Sequence, residues 1–371
     1  MSRIGIGIVG GGYMGKAHSV AMAAVGSVFD TRLRPSLEVI CTTTERGAAD
    51  KARQFGFARS TADWRVLVND PKVEAVVIAS PQNTHREIAL AAFALGKHVF
   101  CEKPLGLGLA DSRAMLEAAE KSGLIHMTGF NYIRTPASQL ARQIISRGEI
   151  GDITYFRGEH TEDFLADPNL PGNWRTEGRD NGNMGDLSPH IINASMALMG
   201  PIASLIAEIE TVHKTRPSPK GPVAVTNDDH AQITCRFANG ALGSLYSSRI
   251  ATGRKMGYAY DIFGTKGAIR FDQEDQNALW LYKGDAAPDR QGFTKILTGP
   301  DHPDYKMFCL GPGHGTGYQD QIIIEARDFL EAIAGGQPRW PTFRDGMMVN
   351  QVIEAAWASH EQRRWIDVAS I

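Results

Sequence analysis

The stretch Ile4-Gly-Ile-Gly-Ile-Val-Gly-Gly-Gly-Tyr-Met-Gly-Lys16 decides the fold. Its first half, Ile4–Val9, is a short apolar, β-branched run of the kind that forms a buried strand. Gly10, Gly12 and Gly15 follow in the spacing G-x-G-x-x-G, and Lys16–Val25, rich in Ala and Met, is a good helix former. Each glycine has a physical reason to be there. The first allows a tight turn, the second lets a pyrophosphate approach the backbone, and the third lets helix pack on strand. Free N–H groups and the positive end of the helix then suit phosphate oxygens. The expectation is a dinucleotide held over Gly10, Gly12, Tyr13, Met14 and Gly15.

Outward from this turn, apolar runs at Leu37–Cys41, Ala75–Ala79, His98–Cys101 and Ile125–Phe130 alternate with helical patterns at Arg46–Phe55, His85–Leu95 and Leu109–Lys121. That alternation marks a parallel sheet covered on both faces. The texture changes near Thr135. An amphipathic segment, Ala137–Ile145, leads through Arg147-Gly-Glu-Ile-Gly151 into a region where strand patterns dominate. These are Thr154–Arg157, Ala203–Glu210, Ala231–Phe237, Leu242–Arg249, Tyr258–Phe263, Ala268–Asp272 and Leu279–Tyr282, with turn signals such as Asn239-Gly240 and Lys266-Gly267 between them. Two helical patterns, Gln321–Ala334 and Asp345–His360, close the chain. The expected fold class is α/β. A doubly wound Rossmann sheet fills 1–130, and an α+β domain on a large, mostly antiparallel open sheet fills 131–371. The last helix, about 345–360, is free to pack back on the first domain.

Composition narrows the function classes. A chain of 371 residues suits about two domains. Its 43% hydrophobic and 22% charged residues are those of a globular protein, not a disordered one. Lys and Arg number 39 against 41 Asp and Glu, so no basic field draws it to nucleic acid or an anionic membrane. Cys41, Cys101, Cys235 and Cys309 are scattered and read as reduced thiols, not as a zinc site or disulfide framework. The start lacks the apolar region of a signal peptide. The least polar long stretch, Ile191–Ile209, is broken by Asn193 and Gly200-Pro201 and falls short of a span of about 20 apolar residues. A cytoplasmic protein is expected, with neither nucleic acid nor membrane as partner.

Three further clusters carry chemistry. An NAD-selective site places Asp or Glu at the end of the second strand, where this chain has Cys41-Thr42-Thr43-Thr44-Glu45-Arg46. Hydroxyls replace the carboxylate that would repel a 2′-phosphate, and Arg46 is within reach of one, so the cofactor is NAD or NADP with a lean to NADP. The same residues also read as a turn followed by a solvated helix start. Cys101-Glu102-Lys103-Pro104 stands at the exit of the His98–Cys101 strand. Ligands of open α/β sheets lie beyond such strand ends, and an ammonium there stabilises developing alkoxide charge. In Gly185-Asp-Leu-Ser-Pro-His190, Pro189 belongs in a first helical turn, so a helix is expected to begin near Asp186 and run on past His190. Four residues apart, Asp186 and His190 then share one face. An imidazole there suits a base that accepts an alcohol proton. A capping Asp with a packed His is the plainer reading, and no third ligand at suitable spacing supports a metal.

Taken together, Gly10–Gly15, Ser80-Pro-Gln-Asn-Thr-His85, Glu102-Lys103-Pro104, Gly129-Phe-Asn-Tyr132, Trp174-Arg175 and Gly185–His190 resemble the Gfo/Idh/MocA family, that of glucose–fructose oxidoreductase and inositol 2-dehydrogenase. The resemblance spans nearly the whole chain. It implies a Rossmann domain and an open-sheet domain that assembles dimers or tetramers, with reversible hydride transfer on a sugar or cyclitol. The family's lysine falls on Lys103, and its Asp and His on Asp186 and His190. Cofactor contacts are implied at Thr42, Thr43, Arg46, Ser80, Pro81, Asn83, His85, Glu102 and Lys103. Within the family, the segment His160–Arg175, the run Gly311-Pro-Gly-His-Gly-Thr-Gly-Tyr318, Trp340-Pro341 and Asp345-Gly346 look most similar to scyllo-inositol, L-glucose and levoglucosan dehydrogenases. Gln82 stands where the family often has Asn. Thr42 and Arg46 look similar to the 2′-phosphate contacts of 1,5-anhydrofructose reductases.

The expected reaction is oxidation of one secondary ring hydroxyl, with His190 taking the proton, Lys103 holding the oxygen and Asp186 orienting. A polyol site needs several donors and acceptors. Candidates besides Lys103, Asp186 and His190 are Asn131, Arg134, His160, Trp174, Arg175 and His314. Two alternatives stay open: an NADPH-dependent reductase of a keto-sugar or anhydro-ketose, and a non-catalytic sugar- or dinucleotide-sensing regulator on the same fold.

Overall fold

Short β-branched runs with helices between them form the first sheet, as their period requires. In the computed structural model, which describes residues 2–371, the order is β1 (Ser2–Val9), α1 (Tyr13–Val28), β2 (Leu33–Cys41), α2 (Glu45–Phe55), β3 (Arg59–Thr61), α3 (Trp64–Asn69), β4 (Ala75–Ile78), α4 (His85–Ala94), β5 (His98–Glu102), α5 (Leu109–Ser122) and β6 (His126–Gly129). The six strands are parallel and lie in the order β3-β2-β1-β4-β5-β6. All four residues of β4, Ala-Val-Val-Ile, are buried, because helices cover both faces of a parallel sheet. The sequence patterns locate five of these strands; β3 is three residues long and too short to show a period.

The second sheet is built differently. After α6 (Pro136–Ser146) come β7 (Ile153–Thr161), α7 (Asn183–Asp186), α8 (Ser188–Met199), β8 (Ile202–Glu210), a two-stranded ribbon of β9 (Thr215–Arg216) and β10 (Val223–Ala224), then β11 (His230–Phe237), β12 (Leu242–Ser248), β13 (Gly257–Gly264), β14 (Gly267–Asp272), β15 (Ala278–Lys283) and β16 (Thr294–Leu297). The chain ends with α9 (Tyr318–Gly335), α10 (Phe343–Gln362) and β17 (Ile366–Asp367). Nine strands lie in the order β16-β15-β14-β13-β7-β12-β11-β8-β17, antiparallel except for the β7–β12 pair. Burial alternates along β11, as in a sheet packed on one face only. No helix among the described residues is long and apolar enough to cross a membrane.

By internal contacts the chain divides into two units. One comprises residues up to Arg134 with Gly317–Asn350, and the other Thr135–Thr316 with Gln351–Ile371. The expected boundary at 130 assigns 131–371 to the second domain, with only the last helix, about 345–360, free to pack back on the first. In the structure Gly317–Asn350 joins the first unit, because α9 packs on α1, with Gln319 Nε2 donating to the Ala17 carbonyl (2.9 Å).

The turn after β1 explains its glycines. Gly10 takes a φ of +111°, open only to glycine, and a Cβ there would lie 2.4 Å from the Ala79 carbonyl oxygen. A Cβ on Gly15 would lie 1.9 Å from the Gly10 carbonyl oxygen, whereas one on Gly12 meets nothing within 4 Å. Gly15→Ala should therefore lower stability by about 1–3 kcal/mol or prevent folding, the cost of forcing a group into packed backbone. Gly12→Ala should stay close to wild type in the same chemical unfolding measurement. Equal effects of the two substitutions would contradict this geometry.

Candidate active site

In the first unit, the open side of the glycine turn meets the start of α1, where Gly12 supplies no side-chain cap to the helix N–H groups. A backbone cradle with bare donors and no Cβ in front of it fits a dinucleotide pyrophosphate. The Thr42 methyl lies against Gly11, and its hydroxyl donates to the Thr44 carbonyl (3.2 Å). Thr44 caps α2 by accepting the Gly47 N–H (3.1 Å). Thr43 and Arg46 are exposed beside it. The neighbouring carboxylate, Glu45, accepts the Ala62 N–H (3.1 Å).

At the end of β5, Glu102 is buried. It bonds His18 Nε2 at 2.7 Å through one oxygen and accepts the Lys103 N–H at 3.3 Å through the other. Lys103 itself is half-buried, ahead of a cis peptide bond to Pro104. Pro81 and Asn83 are exposed, and the Ser80 hydroxyl pairs with Thr84 at 2.6 Å. His85 is fully buried, and its ring nitrogens face the carbonyls of Ser80 (3.0 Å), Pro104 (3.1 Å) and Leu105 (3.2 Å). Burial holds its imidazole below the usual histidine range. Its visible work is to tie the Ser80 loop to the Lys103-Pro104 loop, with no exposed atom for a ligand. Tyr13 stands out into solvent and stacks on Tyr318 at 5.7 Å between ring centroids; the Tyr318 hydroxyl reaches Met14 Sδ at 3.1 Å.

Two substrate candidates of this unit are interior. Arg134 is buried in an ion pair with Asp328 (2.8 Å), donates to the Trp340 carbonyl (2.6 Å) and packs on the Trp340 ring. Asn131 is buried on Gln321 (3.0 Å). Their partners come from distant sequence, so nothing local marks these side chains as inward-facing.

In the second unit, the expected single helix through Asp186 and His190 is two. α7 ends at Asp186, Leu187 forms the joint, and α8 begins at Ser188 with Pro189 in its first turn. Asp186 is therefore the last residue of one helix and not the cap of the next. Its carboxylate pairs with the Arg175 guanidinium at 2.5 Å, and that guanidinium stacks on Trp174 and Phe164. His190 is buried, with its ring 5.3 Å from that of His160. His160 is buried more deeply. Its Nδ1 donates to the Leu187 carbonyl (2.9 Å) and its Nε2 faces Glu162 (3.3 Å), which places it behind His190 and not on an open surface. His314 is exposed and pairs with the Cys309 sulfur at 3.3 Å.

Behind these residues lies a buried polar group that no local pattern announces, the run Asn227-Asp228-Asp229 with Arg249. Arg249 Nε bonds Asp229 (3.1 Å), one terminal nitrogen bonds the Asn227 side-chain oxygen (2.6 Å), and the other bonds the Arg175 carbonyl (2.6 Å). Asp228 accepts the Met184 N–H (2.9 Å) and the Asn183 amide (3.2 Å). Magnitudes decide what holds the backbone on either side of the Arg175–Asp186 pair. Arg175 and Asp186 are 40% and 29% exposed, and such surface pairs contribute about 0.2–1 kcal/mol. A buried hydrogen bond to a charged group contributes about 1.5–3 kcal/mol. The interior group governs.

Burial pushes the Asp228 carboxyl up from 3.8 to about 6, against the opposing pull of Arg249, Asn183 and the Met184 N–H. A folded pKa above the unfolded one means that the native state favours the neutral acid. That contribution, about 3 kcal/mol, is complete below about pH 4 and lost as pH rises through about 6. Chemical unfolding from pH 4 to 7 should therefore show wild type losing stability relative to Asp228→Asn as pH rises. Parallel profiles would refute the assignment.

The comparisons with known proteins bear on both units. Residues 4–130 match the oxidoreductase family with an NAD-binding Rossmann fold, and 138–270 match the GFO/IDH/MocA C-terminal domain. Levoglucosan dehydrogenase of Pseudarthrobacter phenanthrenivorans is 40% identical over 100% of both chains. Myo-inositol 2-dehydrogenase of Thermotoga maritima is 28% identical over 99% of each. A solved levoglucosan dehydrogenase, in complex with NADH and L-sorbose, superposes with a TM-score of 0.97 at 40% identity over 99% of both chains. The chain belongs to the Gfo/Idh/MocA family of NAD-binding oxidoreductases, and its type is that of the dehydrogenases acting on CH–OH groups of sugars and cyclitols.

Proposed function

We propose that the chain oxidises one secondary ring hydroxyl of a neutral pyranose-type sugar, levoglucosan or a close relative, and catalyses the reverse reduction. The observation that carries this reading is the end-to-end similarity to levoglucosan dehydrogenase in a chain that also has Lys103, Asp186 and His190 in the family's motifs. When bound over Gly10–Gly15, the dinucleotide supplies the hydride acceptor. Lys103 donates a hydrogen bond to the reacting oxygen and favours its alkoxide character. His190 accepts the hydroxyl proton. Asp186, oriented by Arg175, accepts from a neighbouring hydroxyl, and Trp174 offers an exposed aromatic face beside it. A site that hydrogen-bonds several hydroxyls discriminates against analogues that lack them.

The cofactor reading goes with it. With Glu45 turned to Ala62 and hydroxyls at Thr42 and Thr43, this turn carries no carboxylate committed to a ribose 2′-hydroxyl, and Arg46 is exposed nearby. NADP is accepted at least as well as NAD. The reading extends to a cytoplasmic homo-oligomer, a dimer or tetramer formed through the open sheet.

Absorbance at 340 nm should rise when the enzyme meets levoglucosan, pyranoses or inositols with either dinucleotide. Lys103→Ala should lower kcat at least about 10²-fold; near-normal turnover would overturn its role. For the cofactors, kcat/KM should be as high with NADP as with NAD, and a hundredfold preference for NAD would refute that part alone.

A further inference from the structure

The Arg175–Asp186 pair is too open to solvent to hold itself in one geometry, yet the backbone on either side of it is pinned from the interior. The Arg249 guanidinium takes the side-chain oxygen of Asn227, which turns the Asn227 amide nitrogen toward the Arg175 carbonyl (3.0 Å) and the Gly178 carbonyl (3.2 Å). The Arg175 carbonyl thus accepts from Asn227 and Arg249 at once. Asp228 does the same for the other partner of the ion pair. Its carboxylate holds the N–H of Met184 and the amide of Asn183, and its own carbonyl accepts the Asn183 N–H (3.0 Å). From Asn183 the chain of bonds continues to the Ser247 hydroxyl (2.9 Å) and from there to Ser188 (2.6 Å), the first residue of α8, which carries His190.

We propose that Asn227, Asp228 and Arg249 are positioning residues, fixing Arg175, Asp186 and His190 for the reaction without touching substrate; this rests on the roles given to Asp186 and His190 above. Three consecutive side chains at the entrance to β11 divide the task. Asn227 holds the Arg175 segment and Asp228 the Asp186 segment. Asp229 anchors Arg249 and accepts the N–H groups of Val212 (2.8 Å) and His213 (2.9 Å). All these bonds lie within the second unit, so their loss should leave dinucleotide binding by the first unit unchanged.

Two substitutions in the full-length enzyme test this. Asn227→Asp keeps the oxygen that Arg249 uses, replaces the N–H donors to Arg175 and Gly178 with an acceptor oxygen that those carbonyls repel, and adds a carboxylate charge opposite Arg249. Arg249→Lys keeps a cation opposite Asp229 but cannot bridge three acceptors. Both should lower kcat with levoglucosan about ten- to a hundredfold, the scale of a small misplacement of reacting groups. The Kd for NADH, read by fluorescence, should stay at the wild-type value. Amide hydrogen exchange should quicken across 175–190 while β11 and β12 keep their protection. Wild-type kcat in both variants, or unchanged exchange across 175–190, overturns the proposal. If wild type itself oxidises no sugar, the function proposed above fails, and the exchange measurement still decides whether these residues position the segment.

Discussion

A salt bridge sealed from water constrains the second unit more than any other interaction. Arg249 and Asp229 have side-chain exposures of 2% and 0%, and removing two charges from water costs several kcal/mol per ion unless every remaining proton and lone pair finds a partner. Here they do. The guanidinium spends its remaining donors on Asn227 and Arg175, and the second Asp229 oxygen takes two backbone N–H groups. Satisfying this pair forces the surrounding backbone into one arrangement, and that backbone carries Arg175. The ion pair is a poor source of net stability and a good source of definition.

The two candidate sites are built by different means. In the first, the backbone does most of the work: glycines bring main-chain donors to an open surface, and the steric limits at Gly10 and Gly15 make that surface a consequence of packing. The side chains near Lys103 serve chiefly to tie loops together, as His85 does between Ser80 and Leu105. In the second unit, the candidate residues are side chains, and each has a supporting layer. Asp186 leans on Arg175, Arg175 on Asn227 and Arg249, and His190 stands in front of His160. Main-chain recognition suits a phosphate group common to all dinucleotides, and layered side chains suit a substrate whose hydroxyl pattern must be distinguished.

Legibility in the sequence followed the range of the interactions. Most strands of both sheets are readable because strand periods are local: the expected Ala231–Phe237 is β11, His230–Phe237, and the expected Tyr258–Phe263 is β13, Gly257–Gly264; the short edge strands β3, β16 and β17 are not. The glycine turn was readable because three positions fix its geometry. The joint at Leu187 was not, since Pro189 is compatible with a first turn at either of two starts and tertiary bonds choose between them. Asn131 and His85 belong to the motifs, His160 opens one of the quoted segments and Arg134 follows a motif closely, yet the sequence offers no local sign that any of them faces inward. Arg134 meets the Trp340 carbonyl across 206 residues. For the same reason nothing in the sequence singles out Asn227-Asp228-Asp229 ahead of β11.

The division of labour also accounts for where the polar residues of the second unit are spent. Asp228 retains an unpaired buried oxygen and a carboxyl raised to about 6, both unfavourable for a residue kept only for stability. An apolar side chain of similar size would avoid the desolvation cost, but it could not accept the Met184 N–H or orient Asn183. The cost is intelligible if the position of the following helix matters more than the stability given up to fix it. On that argument the expensive residues of this unit lie one layer behind the proposed site, where a sequence motif does not point and hydrogen-bond geometry does.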